Sequence, residues 1–257
     1  MLHRLPAGPI CLQTVGVREL PAAGRLAAWG TAALLGAESP DVAADAVGGP
    51  TDPVHRVAGL PGESEPVTLP YVMGRLRALG ATGLRLVVPR PGDVAGLPGP
   101  PEFNAEALAA GAAVVTTGAT NLALLPVARA QWSAHRVDPD HRTPLPLRAA
   151  EQELGRAIRE GAAELTRLDV AAWDPAAAEV LERGPSRPQA LPRSAGGEAH
   201  RLLALALRIA AVVEVAAASE GRTLTGAEVG ARARVLRDLD DAARHAVEAA
   251  CSAPVED

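Results

Sequence analysis

Leu84-Arg85-Leu86-Val87-Val88, reached from a helix through Gly80 and closed by Pro89, is the stretch that decides the fold. Four of its five residues are aliphatic, and a short apolar run between Gly and Pro reads as a buried central strand rather than a helix. Upstream, Tyr71 to Leu79 has helical spacing and ends at Gly80, preceded by strand-like runs at Val54 to Leu60 and Val67 to Leu69. Downstream, Asn104 to Ala110 is a helix closed by Gly111, followed by strands at Ala112 to Thr117, Leu122 to Val127 and Trp132 to Val137. The order β-α-β-loop-α-β-β-β predicts an α/β or α+β protein with a small mixed sheet flanked by helices. Two helices precede it, Leu20 to Gly36 and Asp41 to Val47, the latter after a Ser-Pro start that suits an N-cap.

From about Pro146 the pattern changes. Leu147 to Leu168 is amphipathic, and Pro175 to Arg183 is a short helix with Asp174 as N-cap. A Pro- and Ser-rich loop runs from Gly184 to Gly197, and Glu198 to Ser219 and Thr225 to Cys251 are the longest helices. The helix after Glu198 is apolar nearly all round, which predicts the centre of a helical bundle. Gly221 terminates it, and Thr225 with Glu228 forms a capping box for the last helix. The expected division is residues 1–140, a mixed α/β region, and residues 141–257, a helical region, with one continuous domain as the alternative.

Composition excludes several chemistries. Aromatic residues are 2% of the 257, so the core must be aliphatic, and all 25 basic residues are arginine. Without lysine there is no Schiff base, no covalently held pyridoxal phosphate and no Walker A or kinase-type phosphate lysine. A net charge of −5 with arginines interspersed among carboxylates offers no one-signed field for nucleic acid. Cys11 and Cys251 stand at opposite ends and read as unrelated thiols. Met1 to Arg18 lacks a signal-type apolar core, and Arg208 and Glu214 interrupt the most apolar helix, so the expected setting is cytoplasmic, with no membrane span.

Candidate sites are few. The loop from Pro89 to Asn104 leaves the carboxyl end of the decisive strand, where ligands bind in open sheets with parallel strands. Its polar lining would be Arg75, Arg85, Arg90, Asp93, Asn104 and Glu106. The structural alternative makes Asn104 an N-cap, Asp93 a turn residue, and Arg85 one half of an ion pair with Asp93 or Glu106. Its glycines do not form GxGxxG, and its prolines remove the N–H donors a phosphate cradle needs. His135 and His141 with Asp138 and Asp140 form the only local cluster of metal-ligand atoms, and loop chemistry accounts for it; no metal or cofactor is expected. Ser64 lies outside any GxSxG elbow, and Cys251 follows a helix C-terminus, whose dipole opposes a thiolate. On the last helix Arg232, Arg234, Arg237 and Arg244 alternate with Asp238, Asp240, Asp241 and Glu248, which suits a solvated face or a partner helix.

Val54-His55-Arg56-Val57-Ala58-Gly59-Leu60-Pro61-Gly62, Gly74-Arg75-Leu76-Arg77-Ala78-Leu79-Gly80, the run from Pro91-Gly92-Asp93 through Gly99, and Phe103-Asn104 together resemble conserved hypothetical proteins of high-GC actinobacteria. The resemblance spans most of the chain, implies a bacterial cytoplasmic setting and carries over no catalytic residue. The functional expectation is a non-catalytic binding or regulatory protein, with a protein partner or a homodimer formed through the C-terminal helices. A small-molecule binder or enzyme using the 89–106 loop is the alternative.

Overall fold

The computed structural model describes residues 20–49, 53–140, 142–167, 191–218 and 226–255. Two compact units are distinguished, one formed mainly by residues 21–143 and the other mainly by residues 144–257. The expected helix at Pro175 to Arg183, the first half of the loop from Gly184, the stop at Gly221 and the cap at Thr225 lie outside the described residues, as do His3, Cys11 and His141.

The first unit holds α1 (Ala22–Leu35), α2 (Pro40–Gly48), β1 (Arg56–Ala58), β2 (Val67–Thr68), α3 (Leu69–Ala78), β3 (Ala81–Val87), α4 (Pro101–Ala110), β4 (Ala113–Gly118), β5 (Leu122–Ala128) and β6 (Gln131–Arg136). The six strands form one mixed sheet in the order β2-β1-β6-β5-β4-β3. Only β1 and β6 run parallel; β3 to β6 form an antiparallel meander, and β1 pairs antiparallel with β2.

The decisive strand is therefore an edge strand, not the central one that its apolar run predicts. It reads as central because α1 covers what a neighbouring strand would cover. Thr31 Oγ1 accepts the Leu84 N–H at 2.8 Å. Its single proton goes to Ala27 O at 2.7 Å, with Leu84 O at 3.1 Å as the other acceptor. A hydroxyl on a helix thus occupies the ladder position of a seventh strand, satisfying an N–H that would otherwise be buried and unmet. Gly30 makes this approach possible, because a Cβ there would lie 2.4 Å from Leu84 Cδ1. Helix α1 stops at Gly36, whose φ of 83° is open to glycine and whose N–H returns to Ala32 and Ala33. Arg77 of α3 donates to the terminal carbonyls of Ala33 and Leu34, placing a cation at the negative end of the helix dipole.

On the other face, Leu97, Phe103 and Ala107 pack with Val87, Ala113, Val115, Ala123, Leu125 and Val137. Helix α4 begins at Pro101 with Pro100 as N-cap, so Asn104 lies inside the helix and is not its cap. The prolines at its start supply the fixed φ of a first turn and need no N–H there, which moves the start three residues upstream of the polar residue.

In the second unit, α5 (Leu147–Arg167), α6 (Gly196–Ala218) and α7 (Gly226–Cys251) pack around Ala150, Leu154, Leu202, Ala206, Ala242, Ala243, Ala246 and Ala249. Leu202 and Ala206 join the cluster near the end of α7, whereas Arg232 near its start donates to Ala216, so α6 and α7 run antiparallel. The central helix is α7, which packs extensively on both α5 and α6, and not the more apolar α6. Alanine explains the difference: small side chains at 242, 243, 246, 249 and 250 let two helices approach closely. Cys251 is buried at its end, and burial together with Glu248 pushes its thiol pKa up, leaving an inert side chain. Among the described residues no helix is long and apolar enough to cross a membrane.

Thr31→Val keeps the shape and removes the hydroxyl, so it should cost about 1–3 kcal/mol, the penalty of an unmet buried N–H. Gly30→Ala should also destabilise, by about 1–3 kcal/mol through overpacking, although Ala is ordinarily the better helix former by roughly 1 kcal/mol. Urea titration of both variants checks this, and a stabilised Gly30→Ala would show that α1 does not lie tight on β3.

Candidate functional site

The loop after β3 is organised from beneath by a buried charge. Arg85 projects from the same side of β3 as Val87, toward the loop, and is 7% exposed. A permanent cation in that position requires a counter-charge and acceptors. Both are present: the guanidinium pairs with Asp140 Oδ2 and donates to Gly96 O at 3.0 Å. The partner is thus Asp140, 55 residues away, and neither Asp93 nor Glu106, the two that sequence proximity suggests. Asp140 in turn accepts from Arg142 through its backbone N–H at 3.1 Å and its Nε at 3.0 Å. Arg142 then reaches the loop itself, donating to Ala95 O and, at 2.6 Å, to Leu97 O.

Arg85 and Arg142, joined through the Asp140 carboxylate, therefore clamp three consecutive carbonyls, those of Ala95, Gly96 and Leu97. Burial by itself would raise the Asp140 pKa, but the hydrogen bond from the Arg142 N–H and the charge of Arg85 outweigh it, and the carboxyl sits below its ordinary value of 3.8.

The remaining loop polar groups serve the loop. Arg90 and Asp93 exchange backbone hydrogen bonds of 3.0 and 2.9 Å across Pro91-Gly92, and Asp93 Oδ1 accepts the Ala95 N–H at 3.4 Å. Asn104 Oδ1 accepts the Gly99 N–H at 3.0 Å, which ties the end of the loop to the first turn of α4. Glu106 lies 3.7 Å from His135 Nε2, and Arg75 lies 3.6 Å from Glu63, which also accepts the Tyr71 hydroxyl at 2.6 Å. The six sequence-nominated residues thus divide: Arg85, Arg90, Asp93 and Asn104 belong to the loop, while Glu106 faces β6 and Arg75 faces Glu63. Because β3 pairs antiparallel with β4, the loop does not leave a parallel strand end, the setting in which it would be a customary ligand site.

Sequence reasoning did not nominate Ser133, whose Oγ is 2.7 Å from His135 Nε2. Glu106 approaches that same nitrogen, whereas a nucleophile relay needs the carboxylate on the other one, so the trio is no serine-hydrolase triad. Alternation along β6 places residues 133 and 135 on one face and was the available signal. Among the described residues no three His, Cys, Asp or Glu side chains are grouped to hold a metal ion.

In the helical unit a cleft of about 580 Å³ runs between α6 and α7. Val213, Ala216 and Ala217 form one wall; Val229, Ala233 and Leu236 form the other, with Arg232, Arg237 and Asp240 around them. The α7 residues recur at i, i+3, i+4, i+7, i+8 and i+11, one continuous helix face. Val229 is half exposed.

Residues 23–146 match the family model described as the N-terminal domain of Rv1486c-like proteins, and residues 148–248 match that of their C-terminal domain. The chain is similar to Rv1486c-like proteins along both units. No curated protein and no solved structure matches it.

Asp140→Asn leaves the Arg85 cation buried without its counter-charge and should cost about 3–5 kcal/mol, whereas Arg85→Met, which removes the buried cation, should cost less. Since the folded carboxyl has the lower pKa, its contribution is complete above the ordinary value and is lost as pH falls below about 4. Denaturant titrations from pH 7 to 3 should show the wild type converging on Asp140→Asn in acid; parallel curves would contradict the clamp.

Proposed function

We propose that this is a non-catalytic interaction protein that binds a protein partner through its helical unit, in a bacterial cytoplasmic setting. The observation that carries the reading is the shallow α6–α7 cleft, where apolar side chains of two long helices lie open beside Arg232, Arg237 and Asp240. A hydrophobic centre with a polar rim is the anatomy of a protein contact. The contrast with the 89–106 loop supports it, because there Arg85, Asp93 and Asn104, three of the groups that might have held a ligand, are engaged with the loop's own backbone.

A photo-crosslinking residue placed at Val229 in cells should give covalent protein adducts of defined mass, whereas the same residue at Asp93 should give none. Adducts only at position 93, or none at 229, would overturn the reading. So would a metabolite that raises the melting temperature of wild type but not of Asp93→Ala.

A further inference from the structure

On α7 the residues Arg234, Arg237, Asp238 and Asp241 fall at i, i+3, i+4 and i+7, which places them on one strip beside the cleft face. Arg234, Arg237 and Asp238 are exposed, and the Asp241 side chain is half exposed, 3.3 Å from Arg244 at its inner side. The strip is not mixed at random: two cations are followed by two anions, and its net charge is zero. A uniformly acidic partner would meet repulsion over one half, and a uniformly basic partner over the other. An identical helix running parallel in register would oppose like to like at all four positions. An identical helix running antiparallel, about a two-fold axis between residues 237 and 238, opposes Arg234 to Asp241 and Arg237 to Asp238, twice over.

We propose that the partner is a second copy of this chain, docked antiparallel on α7 about that two-fold axis. This rests on the preceding reading and names its partner. A two-fold interface is self-complementary by construction, so a strip whose charge inverts about its own midpoint is what the symmetry requires. The charges fix direction and register, because exposed ion pairs contribute little affinity by themselves. The affinity comes from burying Ala233, one turn before Arg237 on the cleft side of the strip, together with the aliphatic stems of Arg234 and Arg237.

The geometry makes a charge-swap experiment decisive. Arg237→Asp gives two like-charged carboxylates facing each other across the axis, and Asp238→Arg gives two like-charged guanidinium groups. Each variant alone should sediment as a monomer at concentrations where the wild type is a dimer, with unchanged circular dichroism because both positions are exposed. An equimolar mixture of the two should form a dimer containing one chain of each, since every opposed pair is then of opposite sign. The double variant Arg237→Asp/Asp238→Arg should dimerise again. A wild type that stays monomeric at every concentration overturns the proposal, as does a wild-type dimer that neither single reversal dissociates. A monomeric wild type that still gives crosslinks to another protein at position 229 overturns the second copy alone; a monomer with no crosslink there overturns the interaction reading as well.

Discussion

Arg85 carries a permanent positive charge into the buried end of β3 among Leu84, Leu86 and Val87, and the segment after β6 returns to neutralise it. Asp140 supplies the opposing charge and Gly96 an acceptor, so the chain must return from β6 to the place where β3 ends. Arg142 extends the pairing upward to Ala95 and Leu97, which gives the loop after β3 a fixed course over the sheet. With its course fixed, Leu97 enters the core beside Phe103 and Val87 and the loop closes one face of the sheet. A buried pair of this kind adds little net stability over an apolar substitute, but it penalises every arrangement in which the two groups part. Its service here is to select one path for a proline- and glycine-rich segment that has few side chains of its own to pack.

The scarcity of aromatic residues sets the other terms. Large rings usually fill the space between layers, and a core of Ala, Leu and Val must instead bring its backbones close together. At Gly30 and Thr31 the helix comes near enough to donate a side-chain oxygen to the edge of the sheet. In α7 a run of alanines makes the same closeness available on two sides. Both cases show small residues acting as spacers, and in both the element that looked most apolar was not the one at the centre.

That explains what could be read from the sequence and what could not. The six strands, the helices at Ala22–Leu35 and Leu69–Ala78 and the small mixed sheet were legible, because short aliphatic runs between Gly and Pro carry their period with them. The position of β3 was not, because burial by a helix and burial by a neighbouring strand leave the same apolar run. Asn104 reads as a cap by residue type, although α4 starts at Pro101 with Pro100 as its N-cap and no side-chain cap bond. The pairing of Arg85 with Asp140 was out of reach, since nothing local distinguishes that aspartate from Asp138 two residues earlier. The charge order along the last helix was visible, but its relation to the open α6–α7 cleft depends on which faces the packing leaves uncovered.

The loop after β3 is held shut by its own chain, and amide hydrogen exchange tests this most directly. The Leu97 N–H is bonded to Val94 O and the Gly99 N–H to Asn104 Oδ1, so both amides should exchange slowly in the native protein. In Asp140→Asn both should lose protection while the amides of Ala243 and Ala246 in the helical unit keep theirs. Exchange of Leu97 and Gly99 at unprotected rates in the wild type would contradict the account and return the loop to the position of an open site.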